Sequence, residues 1–121
     1  MEIKISDKWK KIAWEKARKV ESIDPDMFRK DACGAWIKWS EYGNTENPFG
    51  WVIDHIFPAN RGGMTEEDNI RALQYQNNIS KSDDYPSYTA VVTADGMKNI
   101  SKKRNLIVNQ DLRDKLKKYE Q

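Results

Sequence analysis

The chain has 121 residues, 38% hydrophobic and 33% charged, a balance that suits one globular domain with a modest core and excludes a disordered tail. No stretch approaches the ~20 apolar residues of a membrane span, and the start, Met1-Glu2-Ile3-Lys4, leads into charge rather than a signal-peptide core. The expected location is the cytoplasm, with no membrane partner. The net charge of +2 hides a segregation: residues 7–20 carry six Lys or Arg against two Asp or Glu, residues 98–119 eight against two, and residues 21–97 six against thirteen. An acidic middle between basic ends fits a cation-binding centre with arms for a polyanion, although basic runs are as often plain solvated helix faces.

Residues 7–20 read as a helix, because Trp9, Ile12, Ala13, Ala17 and Val20 recur at helical spacing and Ser6 or Asp7 can cap the start. Trp14 falls off that stripe. Asp24-Pro25 reads as a second helix start, ending near Asp31. Cys33 is the only cysteine, so an intrachain disulfide and a paired-cysteine zinc site are excluded, and its expected role is a small buried residue. Residues 34–39 favour a strand by their aromatic and β-branched content, and residues 42–48 a loop. Residues 50–57 form a second strand stopped by Pro58. A turn follows at residues 60–64, then a short strand over 69–73 and a short helix from Gln74 to about Ser82. Residues 88–93 read as a strand with a turn at Asp95-Gly96, and Asn109 caps a last helix whose apolar side is Leu112, Leu116 and Tyr119. Strands and helices mix without a βαβ rhythm, so the class is α+β in a single domain, residues 1–121.

Residues 50–83 read GWVIDHIFPANRGGMTEEDNIRALQYQNNISKSD. Asp54-His55 closes an apolar strand, Pro58 and Gly62-Gly63 follow, Asn69 precedes Ile70 and Leu73, and Asn77-Asn78 stands before Lys81. This ordered set resembles the HNH endonuclease family. Residues 28–35 and Tyr42-Gly43 also resemble the lead-in of some members, so the likeness spans about residues 28–84. The resemblance implies a β-hairpin packed on one helix around a single metal ion (the ββα-metal motif). Residues 50–84 would be its core, and the basic segments 7–20 and 98–119 its helical flanks.

The implied activity is hydrolysis of DNA phosphodiester bonds. That reaction needs an activated water and charge neutralisation on the phosphate. A histidine, with an ordinary pKa near ~6.5, can take a proton from water at neutral pH, and the resemblance gives this role to His55. It makes Asp54 and Asn78 the metal ligands, with Asn77 as the rival to Asn78. An Asp and an Asn carbonyl form an all-oxygen set suited to one Mg²⁺ or Mn²⁺, with no structural zinc. Asn69 matches the family's middle position, which bonds backbone across the loop and holds the histidine strand. Lys81 and Arg61 are candidate phosphate contacts, and Lys102, Lys103 and Arg104 candidate contacts from the flank. Neighbours on a strand point to opposite faces, so Asp54 and His55 serving one phosphate call for a twist or bulge there. Two other readings stand beside this one: a nucleic-acid-binding module of the same fold with weak turnover, and a toxin-type nuclease. The oligomeric state is not encoded in any of these signals.

Overall fold

The computed structural model describes the backbone of residues 2–120 and the side chains of residues 7–120. Its class is α+β. Among the described residues, three antiparallel two-stranded sheets are assembled with helices. Helix α1 (Glu2–Glu15) is followed by the strand pair β1 (Phe28–Lys30) and β2 (Trp36–Lys38). A second hairpin pairs β3 (Trp51–His55) with β4 (Ile70–Gln74), and α2 (Tyr75–Lys81) follows β4 directly. The long hairpin of β5 (Ser87–Asp95) and β6 (Lys98–Ile107) leads into α3 (Gln110–Lys115).

The β3–β4 hairpin divides the core in two because alternate residues leave its opposite faces. Trp51, Ile70 and Ala72 go to one side, where α1 packs through Ala13 and Trp14 with Ile37 beside them. Leu73 goes to the other, joining Cys33, Ile56, Phe57, Tyr85, Tyr88, Ala90, Val108 and Leu116. Helix α2 lies against β5, and a buried polar group ties the two together. The Asn77 side-chain oxygen accepts from the Val91 and Val92 amides (2.8 and 2.9 Å), and its nitrogen donates to the Val92 carbonyl (3.0 Å). The fully buried Asp31 fastens the loop after β1 to the same point: it accepts from the amides of Cys33, Ala35 and Gln74 and from Asn77. Gln74 caps α2 by accepting from the Gln76 and Asn77 amides.

Three local expectations are corrected. The first helix ends at Glu15 rather than Val20, because its last carbonyls are taken from outside. The buried Arg29 guanidinium donates to Trp14 and Glu15 oxygens at 3.2 Å each, and Arg18 leaves the helix to pair with Lys30. Trp14, off the predicted stripe, is buried, and its indole N–H donates to the Pro25 carbonyl. Residues 24–31 form one turn and then β1, not a helix. Asp24 accepts from the Asp26 amide in an Asx turn, and pairing with Arg18 and β2 outweighs helix propensity. Finally, residues 98–107 are strand β6 rather than part of a helical flank, because they pair along nearly the whole of β5. Only α3, capped by Asn109 as expected, is helical in that segment, with a short 3₁₀ turn over Lys117–Tyr119.

Candidate functional site

Where β3 ends, a shallow cleft of about 300 Å³ opens between the strand, the loop at residues 58–60 and α2. Asp54, His55 and Asn78 line it together with Pro58, Asn60 and Ser82. No bulge brings them there: β3 and β4 stay in one-to-one register from Trp51 and Gln74 to His55 and Ile70. The strand instead runs out at His55, so the cleft wall is the strand end itself.

Asp54 is almost fully buried and is the electrostatic centre of the site. Its Oδ2 accepts from Arg71 Nε at 3.0 Å across the hairpin, and its Oδ1 faces Lys81 Nζ at 3.3 Å and accepts from Asn78 Nδ2 at 3.2 Å. The three-residue spacing of Asn78 and Lys81 puts both on one side of α2, above the same carboxylate. Lys81 also donates to the His55 carbonyl at 3.1 Å and is fully buried, so it grips the strand end and does not reach out for a phosphate. Burial pulls its ammonium below the ordinary lysine range, and the Asp54 charge opposes that shift.

The loop between β3 and β4 is shaped by Asn69. Its side chain accepts from the Phe57 amide at 2.7 Å and donates to the Phe57 and Met64 carbonyls at 3.1 and 3.0 Å. Gly63 makes this possible, since a Cβ there would lie 1.9 Å from the Phe57 oxygen and 2.9 Å from the Asn69 nitrogen. The chain leaving His55 is therefore held by a side chain fourteen positions on. His55 is half-buried, and its Nε2 lies 2.7 Å from the hydroxyl of Thr65.

The other candidates separate. Asn77 spends its whole amide on β5 and Asp31 and has nothing left for a metal, so Asn78 alone of the pair faces Asp54. Arg61 is exposed above the Phe57 ring, with bonds to the Asp83 and Tyr85 carbonyls. Lys102 and Lys103 are exposed on β6 where its register with β5 shifts. Arg104 turns inward and donates to the Cys33 carbonyl. Cys33 itself is buried, and burial pushes its thiol up to about 12, so it is no nucleophile. Sequence reasoning missed Thr65, Asp31 and the inward pairing of Arg71 with Asp54. Arg71 faces Asp54 only through the hairpin register, and the wide loop between the strands carries no signal for that register.

Comparison with family models, curated proteins and solved structures finds no match. Asp54 and Asn78 are adjacent oxygen-bearing groups, a donor type that suits a hard cation such as Mg²⁺ or Mn²⁺. Such an ion needs the Asn78 amide turned to present its oxygen. Among the described residues no group of three His, Cys, Asp or Glu forms a ready-made cage, so protein ligands would be few and water or substrate would complete the shell. Arg71 and Lys81 already overbalance the Asp54 charge, which weakens the pull on a free cation.

Proposed function

We propose that the protein is a metal-dependent endonuclease that hydrolyses DNA phosphodiester bonds at the β3–α2 cleft, through the ββα-metal arrangement of the HNH nucleases. The observation that carries this reading is the meeting of Asp54, His55 and Asn78 in one cleft, on a hairpin whose exit is clasped by Asn69. Each belongs to the ordered motif that suggested the chemistry, and the fold brings together residues spread over positions 54–78.

His55 accepts the proton of the attacking water. Asp54 and Asn78 would hold one divalent cation, which supplies charge stabilisation on the phosphate and the leaving oxygen. Lys81 fixes the Asp54 carboxylate and the His55 backbone in one step, so the two functional side chains share a single anchor. The positive surroundings of Asp54 favour joint arrival of cation and anionic phosphate over binding of the cation alone. The exposed Lys102 and Lys103, with Arg61 nearer the cleft, supply backbone contacts that carry no sequence information.

A second reading, a nucleic-acid-binding module without turnover, is favoured by one fact: Asp54 is 2% exposed and already neutralised by its own lysine and arginine. Incubation with supercoiled plasmid, with and without Mg²⁺ or Mn²⁺, separates the two. The nuclease reading expects cation-dependent nicking or linearisation that His55→Ala lowers by about 10²–10⁴-fold. Binding without cleavage under every cation would establish the module.

A further inference from the structure

The chain holds a single histidine, and one of its two ring nitrogens is already engaged: Nε2 lies 2.7 Å from Thr65 Oγ1. A neutral imidazole carries one N–H and one lone pair. If the hydroxyl donated to Nε2, the proton would sit on Nδ1, the lone pair would be consumed, and the ring could accept nothing from water. If the hydroxyl accepts from Nε2–H, Nδ1 keeps a free lone pair. Only the second arrangement leaves a base.

The hydroxyl is held in place from both sides. On one side Asn69 fastens the Met64 carbonyl at 3.0 Å. On the other, Glu66 is gripped by Lys118 at 2.8 Å and by the Tyr119 hydroxyl, and the Tyr119 ring stacks on Phe57. Thr65 itself is exposed and fills no core space. Among the described residues its side chain makes one hydrogen bond, to the imidazole, and its backbone is anchored at both neighbours to aim it.

Resting on the nuclease reading above, we propose that Thr65 is a positioning residue that accepts the Nε2–H of His55, fixing the tautomer in which Nδ1 takes the proton from water. In the step so defined, a water proton moves to Nδ1 as the water oxygen bonds to phosphorus. The bond from phosphorus to the leaving oxygen breaks, and that oxygen is protonated from solvent. The resulting imidazolium keeps its Nε2–H on Thr65, so the ring does not rotate as it gains charge.

A lone histidine makes the test clean, because every imidazole signal in ¹⁵N-resolved NMR belongs to His55. Wild type, Thr65→Ser and Thr65→Val are compared with the ring neutral, with His55→Ala as the activity control and circular dichroism to confirm folding. The expected result is the Nε2–H tautomer in wild type and Thr65→Ser, and a mixture in Thr65→Val. In plasmid cleavage Thr65→Val should lose about 10–100-fold in kcat with little change in KM, as for other contacts that orient a functional imidazole, and Thr65→Ser should retain most of the rate. An Nδ1–H tautomer in wild type, or an unchanged tautomer in Thr65→Val, overturns the proposal. So does a Thr65→Val rate within about twofold of wild type when His55→Ala is inactive. Full activity in His55→Ala removes the base assignment itself, whatever the spectra show; failure of the base and failure of its positioning are thus told apart.

Discussion

Two adjacent asparagines are rivals for one role, and the fold predicts opposite phenotypes for them. Asn77→Ala deletes an amide that makes bonds of 2.8 and 2.9 Å to the Val91 and Val92 N–H groups, 3.0 Å to the Val92 carbonyl and 3.2 Å to Asp31. Asp31 retains three backbone donors, so its loss is small. The Val92 N–H and carbonyl are left unpaired in the interior, and the Val91 N–H is partly reached by water. At ~1–3 kcal/mol for each orphaned buried group, the expected cost is about 4 kcal/mol. A domain of this size has about 5–15 kcal/mol in all, so the variant should be close to its limit. In urea, with a slope of ~2 kcal/mol per M, the midpoint should fall by about 2 M. Asn78→Ala removes one 3.2 Å bond to an Asp54 that keeps Arg71 and Lys81, and places a good helix former in α2. Its stability should stay within about 1 kcal/mol of wild type while cation-dependent cleavage is lost. Equal destabilisation by the two substitutions, or an Asn77→Ala midpoint within 0.5 M (roughly 1 kcal/mol) of wild type, would refute the assignment.

Gly63→Ala should cost about 2–3 kcal/mol and impair cleavage, since its Cβ meets the Phe57 oxygen at 1.9 Å. Gly62→Ala, strained at φ +104° but in open space, should cost only ~1 kcal/mol; thermal melts compare the two. Cys33 stays protonated in the folded state up to about 12 while the unfolded thiol ionises at its ordinary 9.0. The folded form thus binds the extra proton between those values, and stability should fall with rising pH there by about 1.4 kcal/mol per unit. Cys33→Ala should remove that share of the slope in alkaline urea titrations. Lys102→Ala with Lys103→Ala should flatten the dependence of log affinity on log salt by up to ~1.8, at ~0.9 for each phosphate no longer neutralised. Arg104→Ala should chiefly lower the melting temperature, because its guanidinium serves the Cys33 carbonyl. EDTA should stop cleavage and leave the melting temperature within about 2 °C, and a larger drop would mean that a metal supports the fold.

Strong local signals survive folding. Apolar residues before Asp54 make β3, the Asp95-Gly96 turn makes the last hairpin, and Asn109 caps α3. Asp54, His55 and Asn78, singled out by order and spacing, line one cleft, and Asn69 bonds backbone across the loop. What the sequence hides is long-range. Arg29 ends α1 from 14 and 15 residues away, and β1 displaces a helix-like segment because Arg18 and β2 are there to pair with it. Lys81 reads by its charge as a surface contact. Only the fold shows that Asp54 and the His55 carbonyl are waiting for it inside.

The split of the core by the β3–β4 hairpin also sorts most of the aromatics, although Tyr42 packs on Trp51 and Trp36 belongs to neither cluster. Trp9, Trp14, Trp39 and Trp51 all belong to the cluster under α1, whereas Tyr85, Tyr88 and Tyr119 belong to the cluster beneath the loop and the last helix. The α1 side is therefore rich in indoles and the other side in phenols. Indole emission and the coupled near-ultraviolet bands of Trp14, Trp39 and Trp51, whose ring centres lie 5.3–5.9 Å apart, report the α1 side. Once Tyr42 and Tyr75 are replaced by Phe, the phenol bands of Tyr85, Tyr88 and Tyr119 report the side that holds Thr65 and Glu66 in place. Loosening that begins at the loop carrying Thr65 should dim the tyrosine dichroism while tryptophan emission is still native, so the order in which the two halves yield can be read without a label.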